Sequence, residues 1–306
     1  MTDPQTEARL GTLAFTLAFL LLALPFPGEA LQVRRVPRPL PPPVWNNPPQ
    51  QPIPGVEHNT FHSNSMNEEV GYNLLLPPGY SSGERRYPVV YWLHGAGGTE
   101  SQTAGIAAPL IVEAMSAGTV PPMIVVFASG GFWSWFADSP DGSILAETAF
   151  ISELIPHIDA TYRTMAERSG RAITGNSMGG FAALVHAMKH VELFGSVVAY
   201  AAALHEVQEA PDGTLTLARA GGTHEGGSRP VHPVRLKGVF ERMFGSRDAF
   251  ANHSPWALVR TDAARLRTQL PMRIVIGTAD GLWNANQLFH KLLLEHGYDH
   301  EFEVVD

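Results

Sequence analysis

One serine of this sequence lies in a glycine-rich pentapeptide that is typical of nucleophilic catalysis. Residues 175–179 read Gly-Asn-Ser-Met-Gly and fit G-x-S-x-G, the pattern of a sharp strand-to-helix turn that exposes a serine hydroxyl. The apolar run 171–174 before it predicts a strand, and residues 181–190 after it predict a helix. Because the pentapeptide also occurs by chance, this context carries the interpretation. Ser177 is the predicted nucleophile of an acyl-transfer reaction.

Two backbone N–H groups are candidates for stabilising the oxyanion of that reaction. One donor in this kind of turn comes from the residue after the nucleophile, here Met178, and the other from the loop after the third strand. Residues 91–98 read Tyr-Trp-Leu-His-Gly-Ala-Gly-Gly and end a predicted strand in such a loop. We assign the second donor to Ala96, because small side chains let the backbone approach a substrate. A phosphate-binding loop is the alternative, but G-x-G-x-x-G and a final Lys-Ser/Thr are missing.

An acid is expected downstream of the nucleophile, because the chain order for this turn type is Ser, then Asp or Glu, then His. Asp280 follows the apolar run 272–277 and precedes a glycine. It would accept the second imidazole N–H and hold the tautomer of the base. An ordinary Asp-Gly turn is the alternative interpretation.

The elements that must position these residues form an α/β pattern. Near-continuous apolar runs alternate with helix-length stretches, which predicts a mostly parallel central sheet with helices on both faces. Residues 56–61 and 70–76 predict an antiparallel hairpin at its N-terminal edge. Residues 205–237 are rich in Gly, Pro, His and Thr and predict a long excursion over the active-site edge. The predicted strands of the sheet cover residues 88–93, 122–128, 171–176, 195–200, 272–277 and 301–305.

Composition excludes several classes of protein. The 306 residues include 21 Lys and Arg against 29 Asp and Glu, which gives a net charge of −8. This acidic balance provides no positive electrostatic field to bind a phosphate backbone, so nucleic acid is not an expected partner. The chain has no cysteine, which excludes disulfides and thiolate nucleophiles or metal ligands. Its histidines show no H-E-x-x-H or similar spacing. We therefore expect no metal site and no cofactor.

The N-terminal region predicts export. Residues 10–28 are uncharged and apolar and end near Ala30, which predicts a signal peptide over 1–30; an uncleaved membrane anchor is the alternative. Either one makes the rest secreted, periplasmic or anchored outside the cytoplasm, with membrane as a partner only if the segment is uncleaved. Nine of the residues 37–54 are proline, so 31–55 predict a stiff linker. The catalytic domain is predicted over 56–306.

Several segments in this order resemble the esterase D and feruloyl esterase branch of the α/β-hydrolases. They are residues 76–80 (Leu-Pro-Pro-Gly-Tyr), the His94 loop, 134–142, 153–159, 162–164, the Ser177 turn and the Asp280 strand end. The resemblance implies a serine carboxylester hydrolase without cofactor. It would act through an acyl-enzyme on small-molecule or polysaccharide-linked esters whose acyl part is small or aromatic. A catalytically impaired binding protein and an acyltransferase of the same fold are the alternatives.

Aromatic side chains follow the predicted strand 122–128 and are expected near the same sheet edge. Of these, Trp133 and Trp135 are candidates for gripping an aromatic or acyl group. Ordinary loop packing is the alternative.

The sequence does not identify the general base, the third residue of a Ser-Asp-His catalytic triad. The resemblance implies a histidine in a loop after the last strand, beyond Asp306. His290, His296 and His300 follow Asp280, but they lie in a predicted helix or at the amino edge of a strand, away from the ligand edge. Three alternatives stay open. The base lies beyond Asp306, or it is His205 or His224 in the excursion, or no working base exists and the chain is a binding protein.

Overall fold

A central sheet organises the part of the chain that the structure describes. The computed structural model describes residues 42–204, 206–209, 215–218 and 233–306, with side chains for 42–204 and 239–306. The strands are β1 (Val56–Ser63), β2 (Glu68–Leu75), β3 (Val89–Leu93), β4 (Ile124–Ala128), β5 (Arg171–Asn176), β6 (Ser196–Tyr200), β7 (Glu206–Glu209), β8 (Leu215–Ala218), β9 (Met272–Gly277) and β10 (Glu301–Val305).

Eight of these strands pair in the order β1-β2-β4-β3-β5-β6-β9-β10. The pairs β1/β2 and β2/β4 are antiparallel, and all pairs from β4 to β10 are parallel. The predicted sheet and its antiparallel N-terminal edge are thereby confirmed. Leu93 pairs with Gly175, and Asn176 pairs with Tyr200. The carboxyl ends of β3, β5 and β6 therefore meet at one edge, where the predicted site residues are expected.

Helices cover both faces of the sheet, because successive side chains of a strand such as β4 point to opposite faces and are buried on each. Val125 and Phe127 pack with Ala104 of the first helix, whereas Val126 belongs to the larger core that includes Phe181, as the two-residue period of a strand requires. The helices are α1 (Glu100–Ser116), α2 (Ala146–Thr148), α3 (Ile155–Thr161), α4 (Met178–Lys189), α5 (Pro233–Phe244), α6 (Arg247–Asn252), α7 (Pro255–Gln269) and α8 (Trp283–Glu295); a π-helical segment, Ala149–Leu154, joins α2 to α3.

The folded unit begins earlier than the proline content predicts. Trp45 lies inside the predicted linker 31–55, yet only 6% of it is exposed and it packs in the larger core. Its carbonyl oxygen accepts a hydrogen bond from the Gly71 N–H at 2.7 Å. The Asn47 N–H donates to Glu100 Oε1 at 2.6 Å. Proline prevents regular pairing, but it leaves a tryptophan between the prolines free to be buried, so the part of this segment around Trp45 and Asn47 packs on the domain.

Some sequence expectations fall on residues outside the described ranges. They are the signal peptide or anchor over 1–30, the linker up to residue 41, and His205 and His224. Inside the predicted excursion the described backbone forms β7 and β8, an antiparallel pair separate from the main sheet. Within the described ranges, no helix combines the length and the apolar character that crossing a bilayer requires.

Candidate active site

Ser177 lies in a strained turn between β5 and α4. Its φ of 55° and ψ of −116° are rarely adopted by a residue with a side chain and indicate strain. Hydrogen bonds hold the turn in place: the Ser177 N–H donates to the Tyr200 carbonyl at 3.0 Å, and the Ser177 carbonyl accepts from Phe181 and Ala203 at 3.0 and 2.9 Å. The neighbouring strand and helix therefore fix the serine at the carboxyl edge of the sheet, where it is partly exposed.

Glycines allow this turn to pack against its neighbours. A Cβ at Gly175 would overlap the Gly179 carbonyl group, and a Cβ at Gly179 would overlap the Leu93 carbonyl group. A Cβ at Gly180 would lie 3.1 Å from the Ala202 Cα. The turn is thus wedged between β3 and the segment after β6, which is why glycine is needed on both sides of the serine.

The loop after β3 faces the nucleophile, and a buried histidine holds it. A Cβ at Gly95 would lie 3.5 Å from the Ser177 Cβ. His94 is 1% exposed; its Nδ1–H donates to the Gly95 carbonyl at 2.9 Å, and its Nε2 accepts from the Gly130 N–H at 3.1 Å. These two partners require the neutral ring, and burial lowers the pKa of His94 to about 4. The role of His94 in holding the loop was not predicted from the sequence.

The two backbone donors proposed from the sequence, Met178 and Ala96, differ from Gly97 in their hydrogen bonding. Met178 is the first residue of α4, and Ala96 is exposed in the loop. In the described part of the chain neither N–H donates to a carbonyl, whereas the Gly97 N–H donates to the Phe132 carbonyl at 2.7 Å. Of the loop residues considered from the sequence, Ala96 is therefore available as a donor, and Gly97 is not.

A cleft of about 430 Å³ opens beside this loop. Trp92, Ile106 and Ala107 form its apolar part, and Gln102 and Asn176 add amide groups. Its volume lies in the range of small-molecule sites. The cleft therefore combines apolar contact area with polar groups next to the nucleophile turn.

Asp280 lies where the sequence predicts an acid, in the turn after β9. Its Oδ1 accepts the Leu282 N–H at 2.8 Å, and the Thr278 N–H donates to the Val305 carbonyl at 2.8 Å, so the carboxyl end of β10 lies next to this turn. Among the described side chains, no histidine hydrogen-bonds Asp280 or Ser177. The triad role of Asp280 stays a prediction.

The histidines after Asp280 have other partners or positions. His290 Nδ1 and His300 Nε2 are 2.7 Å apart, and His290 stacks on Phe302 with ring centroids 4.2 Å apart. His300 Nδ1 donates to the Tyr298 carbonyl at 2.9 Å, and His296 ends α8. The contacts of His290 and His300 involve neither Asp280 nor Ser177, and that none of the three is the base stays a prediction.

The two candidate aromatic residues have different environments. Trp133 is partly exposed and lies beside the loop, with its Cζ2 3.6 Å from a Cβ placed at Gly97. Trp135 is 3% exposed and packs edge-on against Phe181 at 4.9 Å between ring centroids. The prediction that Trp135 contacts substrate is therefore wrong for this structure, because its ring belongs to the core. Periodicity cannot distinguish the two residues in an irregular loop.

A serine on a tight turn between a parallel strand and a buried helix, on a sheet of this order, defines an α/β-hydrolase fold. Residues 63–297 match the family described as "Putative esterase". The match covers more than half of the chain, which belongs to this esterase family.

Two curated relatives are esterases. Esterase Rv1288 of Mycobacterium tuberculosis is 37% identical over 147 residues, which is 47% of this chain and 31% of the relative. An endo-1,4-beta-xylanase/feruloyl esterase of Xylanibacter ruminicola is 34% identical over 149 residues, 46% of this chain and 20% of the relative. The chain thus spans less than a third of the length of either relative.

Solved structures share the fold. A ferulic acid esterase is 24% identical, with a TM-score of 0.65 over 82% of this chain and 89% of that one. An S-formylglutathione hydrolase from Agrobacterium tumefaciens is 19% identical, with a TM-score of 0.60 over 82% and 85% of the two chains. At these identities the likeness establishes the fold alone.

Proposed function

We propose that this chain is a serine carboxylester hydrolase whose nucleophile is Ser177. The observation that carries the proposal is the positive-φ turn between β5 and α4, with the serine partly exposed and facing the Gly95 loop. Membership of the esterase family supports the same reaction class.

The reaction proceeds in two halves. The Ser177 Oγ bonds to the ester carbonyl carbon and gives its proton to a general base, and the N–H groups of Met178 and Ala96 stabilise the oxyanion. The bond to the alkoxy oxygen then breaks, and the alcohol leaves with that proton. In the second half, water gives a proton to the base as its oxygen bonds to the acyl carbon. The bond from that carbon to Ser177 Oγ then breaks, the acid leaves, and the base passes the water proton to Oγ. Asp280 would orient the base.

The substrate class follows from the cleft. Trp92 and Ile106 offer flat and aliphatic surfaces in a cleft that Asn176, the residue before the serine, also lines, and Gln102 and Asn176 can bond polar substituents. We propose esters with an aromatic or small acyl group, attached to a small alcohol or to a polysaccharide. The similarity to a xylanase/feruloyl esterase, and to a ferulic acid esterase solved with ferulic acid bound, supports an aromatic acyl group.

The test is acylation of the full chain. Wild type should release a burst of one p-nitrophenol per protein from p-nitrophenyl acetate and should be labelled by a fluorophosphonate. Ser177→Ala should lose both, and Ser143→Ala, which changes an exposed serine elsewhere, should keep both. A burst that persists in Ser177→Ala would contradict the proposal.

The base is located by the same assay. Wild-type turnover well above that of Ser177→Ala would show that a base is present in this chain. If His205→Ala or His224→Ala then loses that turnover, the base is the histidine that was replaced. Turnover that appears only when the chain is extended by downstream coding sequence would place the base beyond Asp306. Labelling without turnover in every form would indicate a binding protein.

We also propose that the chain acts outside the cytoplasm, secreted or periplasmic, on the basis of the apolar segment ending near Ala30. N-terminal sequencing of the exported protein would start at residue 31 if the segment is a cleaved signal peptide, whereas an anchor would leave residue 1 on a membrane-bound protein.

A further inference from the structure

Three metal-ligating side chains lie together at the far end of the helix that carries the nucleophile turn. His186 lies in the last turn of α4, His190 is the residue directly after that helix, and Glu147 belongs to α2. One ligand atom from each lies within 4.8 Å of the others. At a rise of about 1.5 Å per residue, His186 lies about 13 Å along the helix from Ser177. The cluster is therefore separate from the catalytic edge.

His186 is the member whose environment is incomplete. Its side chain is 0% exposed, and within the described ranges both ring nitrogens lack a hydrogen-bond partner. Phe150 lies on one side, with ring centroids 5.5 Å apart. Since buried polar atoms in folded proteins are bonded in the large majority of cases, two unpartnered nitrogens in one buried ring point to a ligand.

The same cluster already attracts a cation. The Lys189 ammonium contacts Glu147 Oε1, and His190 Nε2 lies 3.2 Å from the same oxygen. The Glu147 side chain is only 14% exposed, whereas those of His190 and Lys189 are 25% and 34% exposed. Solvent therefore reaches the carboxylate from the side of these two residues, which gives an ion a way in once the flexible lysine moves.

We propose that Glu147, His186 and His190 form a site for a divalent transition metal of the zinc class. Two imidazoles and one carboxylate are a known three-residue ligand set for zinc, with bonds of about 2.0–2.2 Å, in which water takes the fourth position. Such bonds bring ligand atoms to roughly 3.4 Å from one another, so the cluster must contract slightly around the ion. The ion would tie α2 to the C-terminal end of α4 and supply a partner for one of the two unpartnered His186 nitrogens. This site departs from the expectation of no metal, which considered spacing along the chain and not a carboxylate brought from another helix.

The test is a titration of the full chain, freed of metal by chelator and dialysis, with Co²⁺ and Zn²⁺. Co²⁺ should bind at one equivalent with the visible d–d absorption of a ligand-bound ion, and Zn²⁺ should raise the midpoint of thermal unfolding. His190→Ala and Glu147→Gln should each weaken binding at least tenfold. Lys189→Met, which removes the competing ammonium, should tighten it.

The control is His62→Ala, because His62 forms an exposed pair with Glu69 at 3.1 Å and should not affect binding. His186→Leu should also abolish binding, and His190→Ala keeps the test valid if the buried substitution prevents folding. No stoichiometric binding by wild type would overturn the proposal, as would binding that survives both His190→Ala and Glu147→Gln.

Discussion

Gly179 packs directly against the Leu93 carbonyl group, so close that a Cβ on the glycine would overlap the carbonyl oxygen and carbon. This contact joins the nucleophile turn to the end of the strand that carries the His94 loop. The relative position of the two halves of the candidate site therefore depends on the lack of one side chain.

Replacing Gly179 with alanine should disrupt both stability and activity. The obstacle is backbone, which cannot rotate away, so we expect unfolding to become easier by about 3 kcal/mol or more, with loss of esterase turnover. Thermal unfolding and p-nitrophenyl acetate hydrolysis measure the two effects. Gly83→Ala is the matched control, since Gly83 has an extended backbone and nothing within 4 Å of its Cβ position. Equal midpoints for the two variants would refute the packing argument.

Substitutions at Asp280 should separate its structural role from its catalytic one. Its Oδ1 accepts the Leu282 N–H, and asparagine can still accept that bond, so Asp280→Asn should unfold like wild type, whereas Asp280→Ala should lose about 1 kcal/mol. If Asp280 orients the base, both variants should lose a factor on the order of 10³ to 10⁴ in kcat. Wild-type turnover by Asp280→Asn would show that Asp280 only caps the turn and does not orient the base.

Acid should weaken the fold through His94. Its pKa is about 4 in the folded protein and about 6.5 when unfolded, so between these values the unfolded chain binds the extra proton. Stability consequently falls as the pH drops from 6.5 to 4, by about 3 kcal/mol from this residue. Glu100, whose pKa burial raises, works in the opposite direction. Urea unfolding of wild type and His94→Asn across this interval isolates the histidine; parallel pH profiles would show that His94 is not responsible.

Trp133 and Trp135 should respond differently to truncation. Trp135→Ala empties a core position and should lower the free energy of unfolding by about 3–5 kcal/mol. Thermal unfolding measures this loss. Trp133→Ala should lower the midpoint less than Trp135→Ala does, because Trp133 is only partly buried against the core, and should raise KM for a feruloyl ester about tenfold relative to an acetyl ester. Trp133→Phe should be close to wild type. An identical KM change for both esters would assign Trp133 to ordinary loop packing.

The sequence predicts the sheet well because buried parallel strands are continuous apolar runs. All six predicted strands of the parallel part occur, with bounds that agree to within two residues. The nucleophile turn is predicted for a similar reason, since close backbone contact demands glycines at fixed positions. These features depend on residues close together in the chain, so a single sequence is enough to predict them.

What the sequence does not predict depends on contacts between distant segments. Trp45 is buried because β2 offers a partner at Gly71, and its proline-rich surroundings give no sign of that. His94 becomes a buried support because Gly130 approaches its second nitrogen. Likewise, Glu147 meets His186 only through the packing of α2 on α4. Residue type indicates what these side chains can do, but only the fold brings their partners to them.

The backbone strain at Ser177 bears on how this chain has been selected. A φ of 55° with a ψ of −116° costs a residue with a side chain about 1–3 kcal/mol, and glycine avoids most of that cost. A lineage under selection for stability alone would gain from replacing this serine by glycine. The hydroxyl is therefore a feature that folding opposes, and its presence is evidence of selection for chemistry at this turn.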